Sequence, residues 1–167
     1  IGFDPNGSLA TTHKSQGSDM GLLGGFLGWE AHDERLPESD KHIVTAGINI
    51  KISITDIGNS HPNLYQITLS NNNETRKLTA ISTGGGMIEV TAIDDNPVSM
   101  AGDYFETLIY CDKPSAVLPF LEASVVYDEI AVHKGAICFI EIKSQAFMDA
   151  ALYNELLQME GVLFMKQ

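Results

Sequence analysis

GSLATTHKSQGSDMGLLGGFLGW, residues 7–29, reads as a polar, glycine-flanked loop feeding a thin helix, and the rest of the chain takes its order from it. Residues 7–10 form a short apolar start and 11–17 a polar run. Gly17-Ser18-Asp19 then leads into an apolar stretch carrying Gly21, Gly24, Gly25 and Gly28. A glycine inside a helix costs about 0.5–1 kcal/mol relative to alanine. Close approach of another backbone or of a ligand is therefore expected to offset these. Lys14, Gln16, Ser18 and Asp19 make the one dense polar group at the helix start. Asp19 reads equally as a cap on that helix, favourable by about 0.3–1 kcal/mol, or as part of a chemical site.

Working outward, residues 36–47 carry a proline at a first helical position, acids in the first turn and Gly47 as a stop, which predicts a short helix. Ile48, Ile50, Ile52 and Ile54 alternate with polar residues, the pattern of a half-buried strand. A turn over 58–63 follows, then strands at 64–70 and 75–82. Between them Asn71-Asn72-Asn73 is a natural place for positive φ angles. A further strand spans 87–93, closed by Asp94-Asp95-Asn96-Pro97. This is an α+β layer, with a mostly antiparallel sheet and two helices on it.

Residues 96–103 gather Asn, Pro, Ser, Gly and Asp without periodicity and read as a linker between domains at 1–95 and 104–167. Beyond it the order is strand (105–110), helix (114–123), strand (125–133), a tight Lys134-Gly135 turn, strand (136–143), helix (146–159) and strand (162–166). That βαββαβ order is ferredoxin-like. Such an architecture hosts many unrelated activities and leaves function open.

Composition narrows the classes. Ten basic residues against twenty-two acidic ones give a net charge of −12. Binding to nucleic acid or an anionic membrane needs clustered Lys and Arg, so both are disfavoured. Neither an 18-residue apolar run nor a signal peptide is present in these residues, and an acidic cytoplasmic protein is the expectation. The two cysteines, Cys111 and Cys138, stand outside any C-x-x-C pattern. A reduced, buried pair is the default reading, since an iron–sulfur cluster generally takes three or four thiolates.

Three segments resemble the iron–sulfur-dependent L-serine dehydratases, specifically the β chain of the two-subunit type with its C-terminal ACT-like module. The family's G-S-[FL]-A-x-T-x-K-G-H-G-T-D stretch is matched by Gly7, Ser8, Ala10, Thr12, Lys14, Gly17 and Asp19. Its H-P-N turn is matched by His61-Pro62-Asn63, and its S-I-G-G-G-[KM]-I-E signature by Ser82-Thr83-Gly84-Gly85-Gly86-Met87-Ile88-Glu89. Residues 104–167 are similar to the regulatory ACT module that ends such chains. The resemblance implies a serine-dehydratase β-type α/β sandwich followed by that ferredoxin-like module. It implies loss of water and ammonia from L-serine, or from another β-hydroxy amino acid, with a 4Fe-4S cluster carried by a partner α chain and not by this one. In that picture Lys14, Gln16 and Asp19 contribute to chemistry, while His61, Asn63 and Gly84, Gly85 and Gly86 contact the substrate.

The departures from the family pattern matter as much. Ser15 replaces a glycine, and Gln16 replaces the histidine thought to serve the family as an acid/base group. A glutamine amide orients a ligand by hydrogen bonds but exchanges no proton near neutrality. The family's I-G-P-S-S-S-H-T loop, which precedes the matched stretch, has no counterpart in residues 1–167. That leaves open a trimmed piece or a protein that works without it. In the ACT-like module Ser115 stands where a glycine lets an effector approach, and Pro119 inside the first helix is expected to kink or shorten it. Effector binding is accordingly disfavoured. Homo-oligomer formation through the module is expected from its apolar Val125, Val126, Ile130, Ile137, Phe139 and Ile140.

Residue by residue, plainer readings stand beside these. The triple glycine is an anion-binding nest or a bulged turn in which glycine only supplies unusual φ angles. His61 and Asn63 bind a ligand or stabilise their own turn. His13, His32, His42 and His133 lack metal-ligand spacing and are expected at the surface. Two functions follow: a dehydratase β subunit, or a regulatory or scaffolding module that has lost the chemistry.

Overall fold

The chain folds as two units, Ile1–Thr68 and Leu69–Gln167, in a computed structural model that describes residues 1–58 and 61–167. In the first unit, strand β1 (Gly2–Phe3) pairs in parallel with β2 (Ser53–Ile54) and antiparallel with β3 (Leu64–Ser70). Between β1 and β2 come α1 (Leu9–Thr12), α2 (Ser18–Phe26), a 3-10 turn (Leu36–Glu38) and α3 (Ser39–Thr45). Apolar Phe3, Leu9, Leu23, Ile43, Leu64 and Ile67 are buried here.

The glycines of α2 have different reasons. A Cβ on Gly24 would run into the Leu36 side chain, so this glycine lets the 3-10 turn sit close against the helix. Gly21 and Gly25 have open space around them. The helix predicted over 36–47 is present as the 3-10 turn and α3, and Gly47 takes a φ of 76° just beyond its end. The strand expected over the alternating isoleucines is not: only Ser53 and Ile54 join a ladder. Ile48 and Ile54 remain exposed. Asn59 and Ser60, in the turn expected over 58–63, lie outside the described residues.

The second unit begins with an antiparallel meander of β4 (Thr75–Gly84), β5 (Met87–Ile93) and β6 (Asn96–Met100). It continues with β7 (Phe105–Cys111), α4 (Pro114–Ser124), β8 (Glu129–Lys134), β9 (Cys138–Ser144), α5 (Ala150–Leu157) and β10 (Val162–Lys166). The last four strands form an antiparallel sheet in the order β10-β7-β9-β8, which is the ferredoxin-like βαββαβ topology. Ile109, Cys111, Ile140 and Ile142 pack against Val117 and Leu121 of α4 and Leu156 of α5.

The other face of that sheet is covered by the chain itself. Leu108, Tyr110 and Phe139 pack with Ile93, Leu78, Val90, Val98 and Met100 of the meander. Residues 96–100, read as aperiodic linker, form β6 because Ile93 faces Asn96 across a two-residue turn. Positive φ falls in that turn, at Asp94 (49°) and Asp95 (65°), and not at the asparagines. Asn71 instead accepts from the backbone N–H groups of Asn73 and Glu74 through Oδ1. Pro119 leaves α4 unbroken from Pro114 to Ser124. The carbonyl it deprives of a donor belongs to Ser115, and both residues are exposed, so solvent replaces the lost bond. Among the described residues no helix is long and apolar enough to cross a membrane.

Candidate functional site

Within the first unit the loop after β1 and the His61-Pro62-Asn63 turn are stitched together. The Ser8 backbone N–H donates to the Pro62 carbonyl at 2.8 Å, and Ser8 Oγ donates a short hydrogen bond to Asn63 Oδ1. Asn63 N–H donates to His61 Nδ1 at 3.2 Å, which orients that ring. An added Cβ on Gly7 would stand 2.8 Å from the Pro62 carbonyl oxygen, so the approach of the two segments demands glycine there. Segments more than fifty residues apart in sequence thus form one structure.

Asp4 anchors the same region. Its buried carboxylate accepts from the backbone N–H groups of Asn6 at 2.9 Å and Ile57 at 3.0 Å. These backbone donors, Ile57 foremost, hold the carboxyl below its ordinary range. A cleft of about 420 Å³ opens beside it, lined by Asp4, Asn6, Asp56, Gly58, His61 and Pro62.

Asp19 lies in the first turn of α2, where its charge meets the favourable end of the helix dipole, but it makes no capping hydrogen bond. The N-cap is Gly17, in the left-handed region, and no side chain serves it. Asp19 Oδ1 instead lies 2.6 Å from His13 Nδ1. The His13 side chain, read from sequence as superficial, is 13% exposed, with its ring 5.0 Å from that of Phe3. Tyr65 meets Phe3 edge-on and places its hydroxyl 3.5 Å from Ser18 Oγ. Sequence reasoning missed His13, although an apolar residue at Phe3 and an acid six positions later were available as signals.

Lys14 and Gln16 lie exposed in the turn between α1 and α2. Gly84, Gly85 and Gly86 belong to the second unit. There Gly84 pairs with Met87, leaving Gly85 and Gly86 as a two-residue hairpin turn. All three have positive φ, of 98°, 63° and 84°, and open space where a Cβ would be. Positive φ at both central residues is the type I′ signature that glycine satisfies without strain.

The chemistry of the cysteines does not fit a cluster site. Cys111 is buried in the core beneath α4 and α5, and burial together with neighbouring Cys138 pushes its thiol up to about 12. Two cysteines are fewer than the three or four thiolates that an iron–sulfur cluster generally takes. Among the described residues no three His, Cys, Asp or Glu side chains gather as a metal-binding group.

No protein-family model matches the chain. Two curated proteins are similar to it. The probable L-serine dehydratase β chain of Bacillus subtilis (strain 168) is 28% identical over 165 residues, which is 94% of this chain and 75% of that protein. The L-serine dehydratase β chain of Peptoniphilus asaccharolyticus is 30% identical over 131 residues, 77% of this chain and 59% of its own length.

Proposed function

This chain is similar over most of its length to L-serine dehydratase β chains, and from that likeness we infer that it is the β subunit of an iron–sulfur-dependent L-serine ammonia-lyase. Its substrate is L-serine or a close β-hydroxy amino acid, its products the 2-oxo acid and ammonia, and its compartment the cytoplasm. A partner α chain holds the 4Fe-4S cluster, which when bound supplies a Lewis acid for the substrate hydroxyl. The two cysteines of this sequence are fewer than such a cluster generally takes, so the part of this chain is to bind, orient and move protons. Self-association through the βαββαβ module completes the reading. Its inner sheet face is already covered by the meander, which leaves the outer strands β8 and β10 as the edges for a second copy.

The observation that carries this proposal is the stitching of Ser8 to Pro62 and Asn63, because it joins two of the three segments that resemble the family. In the complex, Lys14, Gln16, Asp19, His61 and Asn63 of the first unit contact the amino acid, and Gly84, Gly85 and Gly86 of the second unit offer backbone N–H groups to an anion. The exposure of Gln16, which cannot exchange a proton, favours the second reading of a regulatory or scaffolding subunit without chemistry. Co-expression with a cysteine-rich α chain, anaerobic purification and assay of pyruvate and ammonia separate the two. The lyase reading expects release from L-serine by the complex and none by this chain alone. A complex with a full complement of iron that turns over no β-hydroxy amino acid would overturn it.

A further inference from the structure

The exposed Gln16 leaves the proposed reaction without a proton acceptor at the motif's usual position, yet a histidine–carboxylate pair stands one turn of chain away. His13 Nδ1 is 2.6 Å from Asp19 Oδ1, and its Nε2 has no hydrogen-bond partner among the described residues. The carboxylate fixes the ring so that Nδ1 carries the proton and Nε2 presents its lone pair, the arrangement of an activated general base. Phe3 flanks the ring at 5.0 Å, and Tyr65 and Ser18 frame the same corner through their 3.5 Å contact. Asp19 makes no capping hydrogen bond to α2 that would compete with this contact. His13 stands at the C-terminal end of α1, whose N-cap, Ser8, is fastened to Asn63.

We propose that His13, positioned by Asp19, is the acid/base residue of this subunit in place of the histidine that Gln16 replaces; this rests on the lyase reading above. His13 Nε2 takes the α-proton of the bound amino acid. The C–H electron pair becomes the Cα–Cβ double bond as the C–O bond at Cβ breaks, and the proton held on Nε2 passes to the departing hydroxide, so water leaves. The resulting enamine tautomerises to an imine, which takes up water and releases ammonia. No oxidant or reductant enters the balance.

The test uses the active α/β complex. His13→Gln retains a donor toward Asp19 but provides no base, and is expected to lower kcat by about 10²- to 10⁴-fold with little change in KM. Asp19→Asn, whose amide donates to Nδ1 and so protonates Nε2 instead, is expected to fall in the same direction. Imidazole in the buffer should restore part of the activity of His13→Ala, which a merely structural histidine would not allow. Exchange of the serine α-proton with deuterated solvent, followed by NMR, should disappear in His13→Gln while melting stays near that of the parent. Three results would overturn the proposal: kcat of His13→Gln within threefold of the parent, a folded His13→Ala beyond rescue, or an Asp19→Asn as active as the parent. Inactivity of the parent complex itself would remove the lyase reading and the dyad's role with it, an outcome distinct from all three.

Discussion

Glu106 is a carboxyl that the fold would rather keep protonated. It lies on β7 opposite Lys143 of β9, and its Oε1 is buried without a partner, as is Oε1 of Glu141 on the same strand as Lys143. Glu141 has His133 Nε2 at 2.7 Å for its other oxygen. Burial first, and the Glu141 charge second, push Glu106 up to about 7, against the pull of Lys143 and with smaller pushes from Asp103 and Glu129. A carboxyl raised in the folded state binds a proton there that the unfolded chain has already released. Its stabilising effect is therefore complete below the unfolded value of 4.5 and is lost as pH rises through about 7. The difference of about 2.5 pH units corresponds to a ceiling of about 3.4 kcal/mol. Partial solvent access lowers this to about 1–2 kcal/mol. Glu106→Gln removes the titration while keeping the shape. At pH 7.5 the variant is expected to melt above the parent, by about 2–4 °C per kcal/mol for a chain of this size, and at pH 4.5 to melt with it. Thermal melts of both proteins at the two pH values suffice, because titrating groups that do not interact with Glu106 cancel in the difference. A variant whose offset from the parent is the same at both pH values would refute the assignment to Glu106.

Gly7→Ala puts a methyl group against the Pro62 carbonyl and must part the loop from the turn, at a cost of about 1–3 kcal/mol in urea unfolding. A loss under 0.5 kcal/mol, or an α/β complex with undiminished turnover, would show that the stitching is neither tight nor needed. Asp95→Gly places glycine at the second position of the type I′ turn, where φ is 65°, and is expected to raise stability by about 0.5–1 kcal/mol. The exposed Lys77–Asp95 pair it deletes is worth less, so a net destabilisation in the same unfolding assay would show that the turn was already relaxed.

What was legible in the sequence was what local periodicity decides. The strand predicted over 87–93 is β5 to the residue, and the strand over 162–166 is β10, because each is short, apolar and bounded by turn residues. The βαββαβ order was readable for the same reason. What pairing decides was not. Ile48 to Ile54 has as clean an alternation as any strand here, yet alternation names no partner, and only Ser53 and Ile54 join a ladder. Asn71-Asn72-Asn73 and Asp94-Asp95 are both plausible left-handed turns by composition. Only the facing of Ile93 and Asn96 selects the second.

The same distinction explains why the site was half visible. A motif assigns a role to a position, and position 16 holds a glutamine that cannot fill it. Chemistry, however, requires a lone pair at a place in space, and the polar turn after α1 brings the ring of His13 to Asp19 with Phe3 behind it. The six-residue spacing of His13 and Asp19 was a signal only in hindsight, because it acquires meaning once the fold brings the ring against Phe3. Loss of a histidine at one position of such a loop is therefore a weaker sign of lost function than it looks. The loop holds a second histidine already oriented by an acid, and whether it acts is a question about His13 and not about Gln16.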